Sequence, residues 1–427
     1  MLEVSLRNNI FWLIDFLRGQ QVKSHYSDIK ERMSSGEVNA LQLEKLLVHA
    51  SKNVPFYKAV NTTTIQNIPV VNKLNYKECF DDFLAKNYEN EKRHKMSTSG
   101  STGVPFTFIQ DINKRKRVLA EIIYFNEICG HYLGEKYAYF RVWTDKNKKS
   151  RLERFKQNLV PVDILHLDDG NLSDIRNLLL KDKKISNLIG YASTFEHLIR
   201  YLENFDDRQE NYSIRSIVSG SEVLDMDVKK RLKKVIGSVV IDRYSSQENG
   251  IVAQTPDMSD EFIVNISSYN VELLKLEADV PSEVGELSRI IVTDLYNFAM
   301  PMIRYDTGDL AIRIDRDPDW STKLKTIQGR QVDTFYDTSG RRMTAHTWSV
   351  YMWKFDKLKQ YQFIQDDEKK YTLNVCCEKN TYSEDSLRNY LKKILGSDAE
   401  ITIKYVNSIP VLSSGKFKKT ICNYNPN

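Results

Sequence analysis

The densest group of residues that could bind an anion is a loop rich in glycine, serine and threonine. It runs Ser97-Thr-Ser-Gly-Ser-Thr-Gly-Val-Pro105, and seven of its nine residues are Gly, Ser or Thr. Glycines let backbone amides approach a phosphate closely, and hydroxyl groups can donate hydrogen bonds to its oxygens. The loop is not the G-x-x-x-x-G-K-S/T phosphate loop, because no lysine follows its second glycine and residues 106–109 have a strand pattern. From composition alone, a phosphate-binding loop between two strands and a flexible surface turn are equally good interpretations.

Two later segments carry side chains suited to other parts of a nucleotide. Ile241-Asp-Arg-Tyr-Ser-Ser-Gln-Glu248 contains Tyr244, whose aromatic face suits a purine, and Glu248, whose carboxylate suits a hard cation. The segment from residue 293 to residue 309 ends in Asp309, whose two carboxylate oxygens match the vicinal hydroxyls of a ribose. Taken singly, Tyr244 is also typical of a core residue and Glu248 of a surface residue, and a strand ending in a Thr-Gly-Asp turn explains Asp309.

Two basic residues lie in short motifs further along the chain. Arg330 is part of Gly329-Arg-Gln-Val-Asp333, and Lys416 ends Ile409-Pro-Val-Leu-Ser-Ser-Gly-Lys416. A fixed cation can stabilise negative charge as it develops in a reaction. The charge pattern by itself favours a turn with a solvated arginine and a basic, solvated tail, since two more lysines follow closely after Lys416.

The elements that must position these residues begin with a helix after the first loop. Residues 114–128 predict a helix with Val118, Ile122, Phe125 and Cys129 on its apolar face.

Short apolar runs then alternate with helical patterns up to about residue 248. The strand candidates are residues 138–143, 188–189, 217–218 and 239–241. The helix candidates lie near residues 194–205 and 225–236. This alternation predicts α/β structure with a largely parallel sheet.

The pattern changes after about residue 262. Strands and turns without a long helix run to about residue 314, which predicts a separate β-rich subdomain. After about residue 333 the pattern is that of a small α+β unit, in which Ser383 can cap a helix that Gly396 ends. We therefore predict an α/β protein. It has a large N-terminal domain of several subdomains, with mainly parallel sheets and a β-rich subdomain, and a small α+β C-terminal domain.

Composition and charge describe a globular protein of more than one domain. The chain has 427 residues, of which 41% are hydrophobic and 28% are charged. Its 62 basic and 57 acidic residues give a net charge of only +5, which does not indicate nucleic acid or membrane as a partner. The basic stretch at residues 146–154 is the best candidate for a polynucleotide contact, and a solvated loop is the favoured interpretation.

Five cysteines without a C-x-x-C pair indicate neither a disulfide framework nor a zinc site, so we expect the cytoplasm. We expect no integral membrane segment, because no apolar run approaches the length of a membrane span. The aromatic residues Phe11, Trp12 and Phe16 could rest on a membrane surface, but packing on the body of the protein is the favoured interpretation.

Taken in order, the motifs resemble those of the adenylate-forming enzymes, which include acyl-CoA synthetases, peptide-synthetase adenylation domains and luciferase-like enzymes. The loop resembles their S/T-S/G-G-S/T-T-G-x-P signature, with Phe106 in place of the lysine that often follows. Residues 219–248 resemble their G-G-E and Y-G-x-S/T-E motifs, residues 301–309 their P-x-I/L-R-Y-x-T-G-D motif, and residues 409–416 their C-terminal S-G-K motif.

Two further stretches resemble one branch of these enzymes, which contains the phenylacetate-CoA ligases and proteins of capsular-polysaccharide loci. They are residues 41–57, with Asn53-Val-Pro-Phe-Tyr57, and Ile189-Gly-Tyr-Ala-Ser193 before a helix. The resemblance thus covers nearly the whole chain.

This resemblance implies ATP and Mg²⁺ as cofactors and assigns site residues by motif. The implied ligands of the ATP phosphates are Thr98, Ser99, Gly100, Ser101, Thr102 and Gly103. The implied contacts to adenine and ribose are Gly220, Ser221, Tyr244, Asp309 and Arg330. Glu248 is the implied Mg²⁺ ligand. Two positions depart from the family pattern: Ser245 replaces a glycine and Gln247 replaces a hydroxyl residue.

The resemblance also implies two domains, 1–330 for nucleotide and acid binding and a mobile domain 331–427 that carries the catalytic residue Lys416. The family's lysine at this position bridges the attacking carboxylate and the α-phosphate. The family's hinge falls in the segment after Arg330, where Val332 stands in place of the usual pivot residue.

The implied reaction has two steps: a carboxylic acid forms an acyl-adenylate with release of pyrophosphate, and an acceptor then takes the acyl group. The acid is a small molecule or is linked to a glycan, and Trp143, Tyr191 and Ser193 are its candidate pocket. The acceptor is coenzyme A, with an amine that forms an amide on a sugar acid or amino acid as the alternative. A nucleotide-binding scaffold without catalysis is the alternative of a different class, and the departures from the motifs are its support.

Overall fold

The protein is described here from a computed structural model. The described residues are 2–60, 62, 64–89, 91–98, 106–143, 148–164, 167, 169–220, 224–328, 335–343, 348, 351–352, 354–355, 358, 360–378, 381–407, 409 and 420–424. The chain forms two compact units. The first comprises Met1–Val71, Cys79–Met96 and Ile109–Gly329, and the second comprises Asn72–Glu78, Ser97–Phe108 and Arg330–Asn427.

The helices of the described residues precede, separate and follow the strands. The α-helices are α1 (Leu2–Leu17), α2 (Gln21–Ser35), α3 (Ala40–Asn53), α4 (Pro55–Lys58), α5 (Lys73–Glu78), α6 (Ile112–Glu127), α7 (Arg151–Gln157), α8 (Asp169–Lys181), α9 (Ala192–Leu202), α10 (Met226–Ile236) and α11 (Glu384–Leu395). Short 3₁₀ turns occur at Ile65–Asn67, Phe80–Phe83, Lys86–Tyr88 and Gln209–Asn211.

The strands of the described residues belong to one large sheet and three small ones. In the large sheet are β3 (Lys136–Arg141), β4 (Leu159–Asp163), β5 (Ile185–Tyr191), β6 (Ser216–Gly220), β7 (Val239–Ser246), β8 (Gly250–Gln254), β9 (Glu261–Val264), β10 (Tyr269–Leu274), β11 (Leu287–Asp294), β12 (Tyr305–Arg313) and β13 (Lys323–Gln328). The small sheets are formed by β1 (Arg93–Thr98) with β2 (Phe106–Asp111), by β14 (Phe335–Tyr336) with β15 (Arg342–Met343), and by β16 (Gln360–Asp367), β17 (Lys370–Cys376), β18 (Glu400–Tyr405) and β19 (Thr420–Cys422).

One side of the large sheet is parallel. Its strands lie in the order β4, β3, β5, β6, β7, and each pairs in parallel with its neighbour. Helices α8, α9 and α10 connect β4 to β5, β5 to β6 and β6 to β7. Four of the five residues of β6 are buried, as expected for a strand covered on both faces. The predicted α/β fold is therefore confirmed.

The other side of the large sheet is antiparallel and contains the β-rich region. The sequence predicts that region as a separate subdomain, and in the structure its strands continue the same sheet. The connection is made by β8, which pairs with β7 on one edge and with β9 on the other. A core of apolar side chains, including Val252, Val264, Val271 and Val292, packs within this region. Alternating strand patterns do not specify which strand of a distant segment will be the neighbour.

Helix α6 begins at Ile112 after Asp111, whose carboxylate accepts the Lys114 backbone N–H at 2.7 Å. The predicted apolar face of this helix is only partly correct. Ile122 is 40% exposed, whereas the side chains of Lys114 and Glu121 are fully buried. Charged residues can occupy the buried face because Lys114 is paired with Asp294 and Glu121 with Tyr269.

Helix α1 rests on the body of the first unit through part of its aromatic cluster. Phe11 and Trp12 pack against the core around Ile29 and Ile123, in agreement with the favoured interpretation. Phe16 is 64% exposed and does not take part in that packing. Within the described part of the chain, no helix is both long enough and apolar enough to cross a bilayer.

The second unit contains the four-stranded sheet of β16 to β19 and helix α11. The Ser383 hydroxyl accepts the Ser386 backbone N–H, and α11 ends before Gly396, whose φ is 123°. Leu387, Leu391 and Leu395 form its buried face. The predicted start and end of this helix are confirmed, and so is the small α+β C-terminal region.

Candidate active site

The carboxyl ends of three parallel strands lie side by side at one edge of the large sheet. Tyr191 at the end of β5 pairs with Gly220 at the end of β6, and Gly220 pairs with Arg243 of β7. The next residue of β7 is Tyr244. Parallel α/β sheets bind ligands at this edge, because the connections leave a crevice between the strand ends. Three residues predicted to contact the substrates, Tyr191, Gly220 and Tyr244, therefore lie along one line.

Tyr244 also contacts Asp309 of β12. The Tyr244 hydroxyl donates a hydrogen bond to Asp309 Oδ2 at 2.9 Å. Burial and the nearby Asp309 carboxylate raise the pKa of the Tyr244 hydroxyl well above its ordinary value, so it remains a donor at neutral pH. Two motif residues 65 positions apart are thus brought into direct contact.

The contact requires the large sheet to curve strongly. Four strand spacings separate β7 from β12 in the order β7, β8, β9, β13, β12. In a flat sheet those spacings would place the two strands about 19 Å apart, at about 4.8 Å for each spacing. The hydrogen bond between Tyr244 and Asp309 spans 2.9 Å, so the antiparallel half bends back toward the carboxyl ends of the parallel half.

An irregularity in β12 positions Asp309. The register between β11 and β12 shifts between Arg289 and Ile291, and Gly308 has a φ of 71°. A bulge position with a positive φ is usually occupied by glycine. Bulges also change the direction of the neighbouring side chains. The Asp309 backbone N–H donates to the Thr307 hydroxyl at 3.1 Å. Residues 307–309 therefore form a β-bulge that bends the strand.

Glu248 lies in the tight turn between β7 and β8 and is only 9% exposed. The Tyr305 hydroxyl donates to Glu248 Oε1 at 3.3 Å, and Gln110 Nε2 donates to the Glu248 carbonyl at 2.9 Å. Tyr305 opens the same strand that carries Asp309. Strand β12 thus contacts both Tyr244 and Glu248, and it brings the predicted ribose and metal ligands to the same end of β7.

Buried polar side chains form hydrogen bonds with the backbone of the turn that carries Glu248. The Tyr269 hydroxyl donates to the Asn249 carbonyl, and the Ile251 backbone N–H donates to Glu121 Oε2 at 3.2 Å. Gly250 has a φ of 118°, and a Cβ built there would lie 2.5 Å from Glu121 Oε2. Only glycine fits at this position, because the supporting groups approach its backbone so closely.

An ion pair completes the support. Lys114 Nζ lies 2.8 Å from Asp294 Oδ2 and donates to the Tyr269 hydroxyl at 3.0 Å. Burial raises the pKa values of the Glu121 and Asp294 carboxyl groups, and the Lys114 ammonium opposes the rise. These groups are not part of the predicted site, and Tyr305 was not predicted either.

The sequence contains one signal for this network. Lys114 and Glu121 are seven residues apart, which places them on the same face of α6. A solvated helix face gives the same spacing, and burial of these residues follows only from the tertiary structure.

The predicted acid pocket also lies toward the carboxyl edge of the parallel strands. Trp143 follows β3, donates its indole N–H to the Val162 carbonyl at 3.2 Å, and contacts Tyr139 edge to face at 5.8 Å. Tyr191 ends β5, which pairs with β3. Ser193 lies in the first turn of α9, directly after that strand.

Ser245 and Gln247, the two departures from the family motif, occupy exposed positions at the β7–β8 turn. Ser245 does not have a positive φ, so its backbone conformation does not require the glycine that the motif usually has. Within this turn, the departures leave Tyr244 and Glu248 in place.

Several predicted residues lie outside the described residues. They are Ser99, Gly100, Ser101, Thr102, Gly103, Ser221, Arg330 and Lys416. Thr98 is the last residue of β1. The predicted strands on both sides of the loop are present as β1 and β2.

The chain resembles known proteins over nearly its whole length. Residues 335–423 match the family model of the CapK C-terminal domain. Protein CapK of Staphylococcus aureus is 24% identical over 99% of this chain and 96% of its own length. Phenylacetate-coenzyme A ligase of Escherichia coli (strain K12) is 22% identical over 90% of this chain and 95% of its own length.

Solved structures with a similar fold include 2-hydroxyisobutyryl-CoA ligase in complex with 2-HIB-AMP and CoA. This structure has a TM-score of 0.58 and 18% sequence identity, and the match covers 90% of this chain and 88% of the ligase. A structure of the same ligase in the postadenylation state, with R3-HIB-AMP, has a TM-score of 0.56. The chain is thus a homologue of CapK and of phenylacetate-coenzyme A ligase, and it has the fold of the adenylate-forming ligases.

Proposed function

We propose that the protein is an ATP-dependent ligase that activates a carboxylic acid as an acyl-adenylate and transfers the acyl group to coenzyme A. The observation that carries the proposal is the 2.9 Å hydrogen bond between Tyr244 and Asp309 at the carboxyl edge of the parallel strands. It joins an aromatic ring suited to a purine and a carboxylate suited to a ribose diol. The similarity to phenylacetate-coenzyme A ligase over 90% of this chain supports the same function.

The nucleotide would lie along the line of strand ends. Tyr244 would face the adenine, and Asp309 would accept hydrogen bonds from the ribose hydroxyls, with Arg330 as a further contact. The nearest atom of the described residues to a Cβ built on Gly220 is the Arg243 carbonyl oxygen at 3.7 Å, an ordinary contact. A side chain at position 220 would therefore meet no clash with the described residues. The space beside Gly220 is free for a ligand, which supports close approach of the adenine to Gly220 and Ser221.

The residues also fit a magnesium ion held together with ATP. Within the described residues, no group of three His, Cys, Asp or Glu side chains could hold a metal by itself. Mg²⁺ is commonly bound through one or two carboxylates together with substrate phosphates, so a single buried Glu248 suits it. When bound, the ion would neutralise charge on the ATP phosphates, which the loop residues 98–103 would also contact.

The reaction consists of two substitutions, the first at the α-phosphorus of ATP and the second at the acyl carbon of the adenylate. A carboxylate oxygen attacks the α-phosphorus, the bond from that phosphorus to the oxygen bridging the β-phosphate breaks, and pyrophosphate leaves. The thiol of coenzyme A then loses its proton, its sulfur attacks the acyl carbon, and AMP leaves with the electron pair of the broken C–O bond. Lys416 would lie between the attacking carboxylate and the α-phosphate, where a cation stabilises the developing charge.

We propose residues 1–330 as the nucleotide- and acid-binding domain and residues 331–427 as a mobile domain that carries Lys416. Alternation of that domain between two poses would let one site serve both steps. ATP and coenzyme A as substrates support a cytoplasmic location.

The acid would occupy the strand ends next to the nucleotide, near Trp143, Tyr191 and Ser193. Aromatic side chains at the edge of a site suit an aryl acid or the apolar face of a sugar acid.

A hydroxamate assay tests the proposal and identifies the acid. The protein is incubated with ATP, Mg²⁺, hydroxylamine and one member of a panel of aryl acids, uronic acids and amino acids. We expect hydroxamate with one class of acid, dependent on ATP, and formation of a thioester when coenzyme A replaces hydroxylamine. If an amide forms with an amine and no thioester forms with coenzyme A, the acceptor is an amine and not coenzyme A. Binding of ATP without hydroxamate from any acid would favour a non-catalytic scaffold.

A further inference from the structure

We propose that the outer face of α1, together with the neighbouring helix α7, is a docking surface for an anionic lipid membrane. Five apolar residues on that face are largely exposed: Leu6 (59%), Ile10 (47%), Leu13 (57%), Ile14 (43%) and Leu17 (74%). Their spacing of three and four residues places them on one side of the helix. Phe11 and Trp12 lie on the opposite side and pack on the protein.

These five residues form an apolar stripe along α1. Both acidic residues among the described residues of this helix are engaged with other groups of the protein. Asp15 is buried and accepts the backbone N–H groups of Val22 and Lys23 at 3.1 and 2.9 Å. Glu3 lies 3.2 Å from Arg7 and 3.6 Å from Lys184. Single exposed apolar residues are normal on protein surfaces, but a continuous stripe over about three helical turns indicates a partner.

Helix α7 extends the stripe and adds positive charge. The Arg7 guanidinium lies 4.5 Å from the ring centroid of Phe155 and donates to its carbonyl, so the two helices are adjacent. Phe155 is 67% exposed and Leu152 is 60% exposed. Residues 148–157 contain five basic residues and one acid, a net charge of +4.

Apolar side chains flanked by cations match the surface of an anionic bilayer. Such surfaces place the apolar residues at the boundary of headgroups and acyl chains, and the basic residues contact the lipid phosphates. A second copy of the chain fits less well. A two-fold interface would pair each patch with itself and bring two clusters of charge +4 together.

Vesicle flotation with the full-length protein tests the proposal. The protein is mixed with vesicles of phosphatidylcholine alone or of phosphatidylcholine with phosphatidylglycerol. We expect it to float with the anionic vesicles, at least about tenfold more than with the neutral ones, and to be released by high salt. Equal binding to both vesicles, or binding to neither, would overturn the proposal.

Matched variants locate the surface. The triple variant Leu6→Ser, Ile10→Ser, Leu13→Ser should lose flotation by about tenfold or more, because it removes apolar area from the stripe. The control Leu276→Ser, Val280→Ser, Val284→Ser changes residues that are 44%, 49% and 56% exposed elsewhere and should float as the wild type does. Since the changed residues are exposed, thermal unfolding should be unaltered in both variants.

A charge variant separates lipid binding from self-association. Arg151→Glu with Lys156→Glu keeps the apolar stripe and reverses two charges, so it should reduce binding to anionic vesicles. A dimer in solution that dissociates in the Leu6, Ile10, Leu13 variant, together with no vesicle binding by the wild type, would make a second copy the occupant and contradict the proposal. None of these readouts depends on ligase activity.

Discussion

The Asp309 carboxylate contacts Tyr244, which also belongs to the proposed site. Its Oδ2 accepts the Tyr244 hydroxyl, and its position depends on the bulge at Gly308. A carboxylate held in this way can accept hydrogen bonds from two ribose hydroxyls without reorganising. Substitution should therefore affect the affinity for the nucleotide more than the stability of the protein.

Asp309→Ala should weaken ATP binding by about 2 kcal/mol, roughly thirtyfold, because hydrogen bonds to a charged group are lost. Tyr244→Phe should weaken it less, because the ring remains. Isothermal titration calorimetry with ATP measures both variants. Asp260→Ala, which removes an exposed acid on another strand connection, should bind as the wild type does. Unchanged affinity of Asp309→Ala would remove Asp309 from the ribose site.

Lys416 is assigned from its motif, and the lysines that follow it provide a matched control. Lys416→Ala should nearly abolish formation of the acyl-adenylate while ATP binding stays mostly intact, because the lysine acts on charge that develops in the reaction. Lys418→Ala and Lys419→Ala remove the same charge nearby and should retain activity. Pre-steady-state measurement of adenylate formation distinguishes the three. A wild-type rate for Lys416→Ala would show that the motif assignment is wrong.

Leu224, which lies just before α10, is bound through its backbone by a buried carboxylate of β7. Asp242 of β7 is 4% exposed, and its Oδ2 accepts the Leu224 backbone N–H at 3.1 Å. Burial raises the pKa of Asp242 to about 6, although this hydrogen bond and Lys229 oppose the rise. The folded state therefore keeps a proton that the unfolded chain loses near pH 4.

This shift predicts a loss of stability as the pH rises from about 4 to about 6, amounting to about 3 kcal/mol from this one group. Asp242→Asn keeps the shape and the acceptor but cannot ionise. We expect its thermal midpoint to fall less with rising pH over this range and to exceed that of the wild type at neutral pH. Asp174→Asn, on the exposed side of α8, is the control. The same pH profile for Asp242→Asn and the wild type would contradict the assignment.

Elements with local signals were predictable from the sequence. Helix α11 has a capping serine, a regular leucine face and a terminal glycine, and all three signals come from adjacent residues. The buried face of α6 was not predictable, because Lys114 and Glu121 are stabilised by Asp294 and Tyr269, which lie about 150 residues or more away along the chain. Burial of charge depends on partners that the local pattern does not contain.

For the chain as a whole, the sequence predicts the parallel and β-rich regions but not their union in one curved sheet. Strand β8 pairs with both β7 and β9 and so joins the two regions into one sheet. Because this sheet is curved, β12 approaches β7. The motif residues of the site were identifiable because each motif is short and local. Their supports, Tyr305 and the network below Gly250, come from long-range packing and were not identifiable.

In the proposed reaction, the carboxylate attacks the α-phosphate of ATP. The most direct measurement identifies the nucleotide formed from ATP and Mg²⁺ in the presence of the acid that yields hydroxamate. AMP and pyrophosphate in equal amounts, dependent on that acid, is the predicted result. ADP and phosphate would mean that attack occurs at the γ-phosphate, and this result would exclude formation of an acyl-adenylate as the first step.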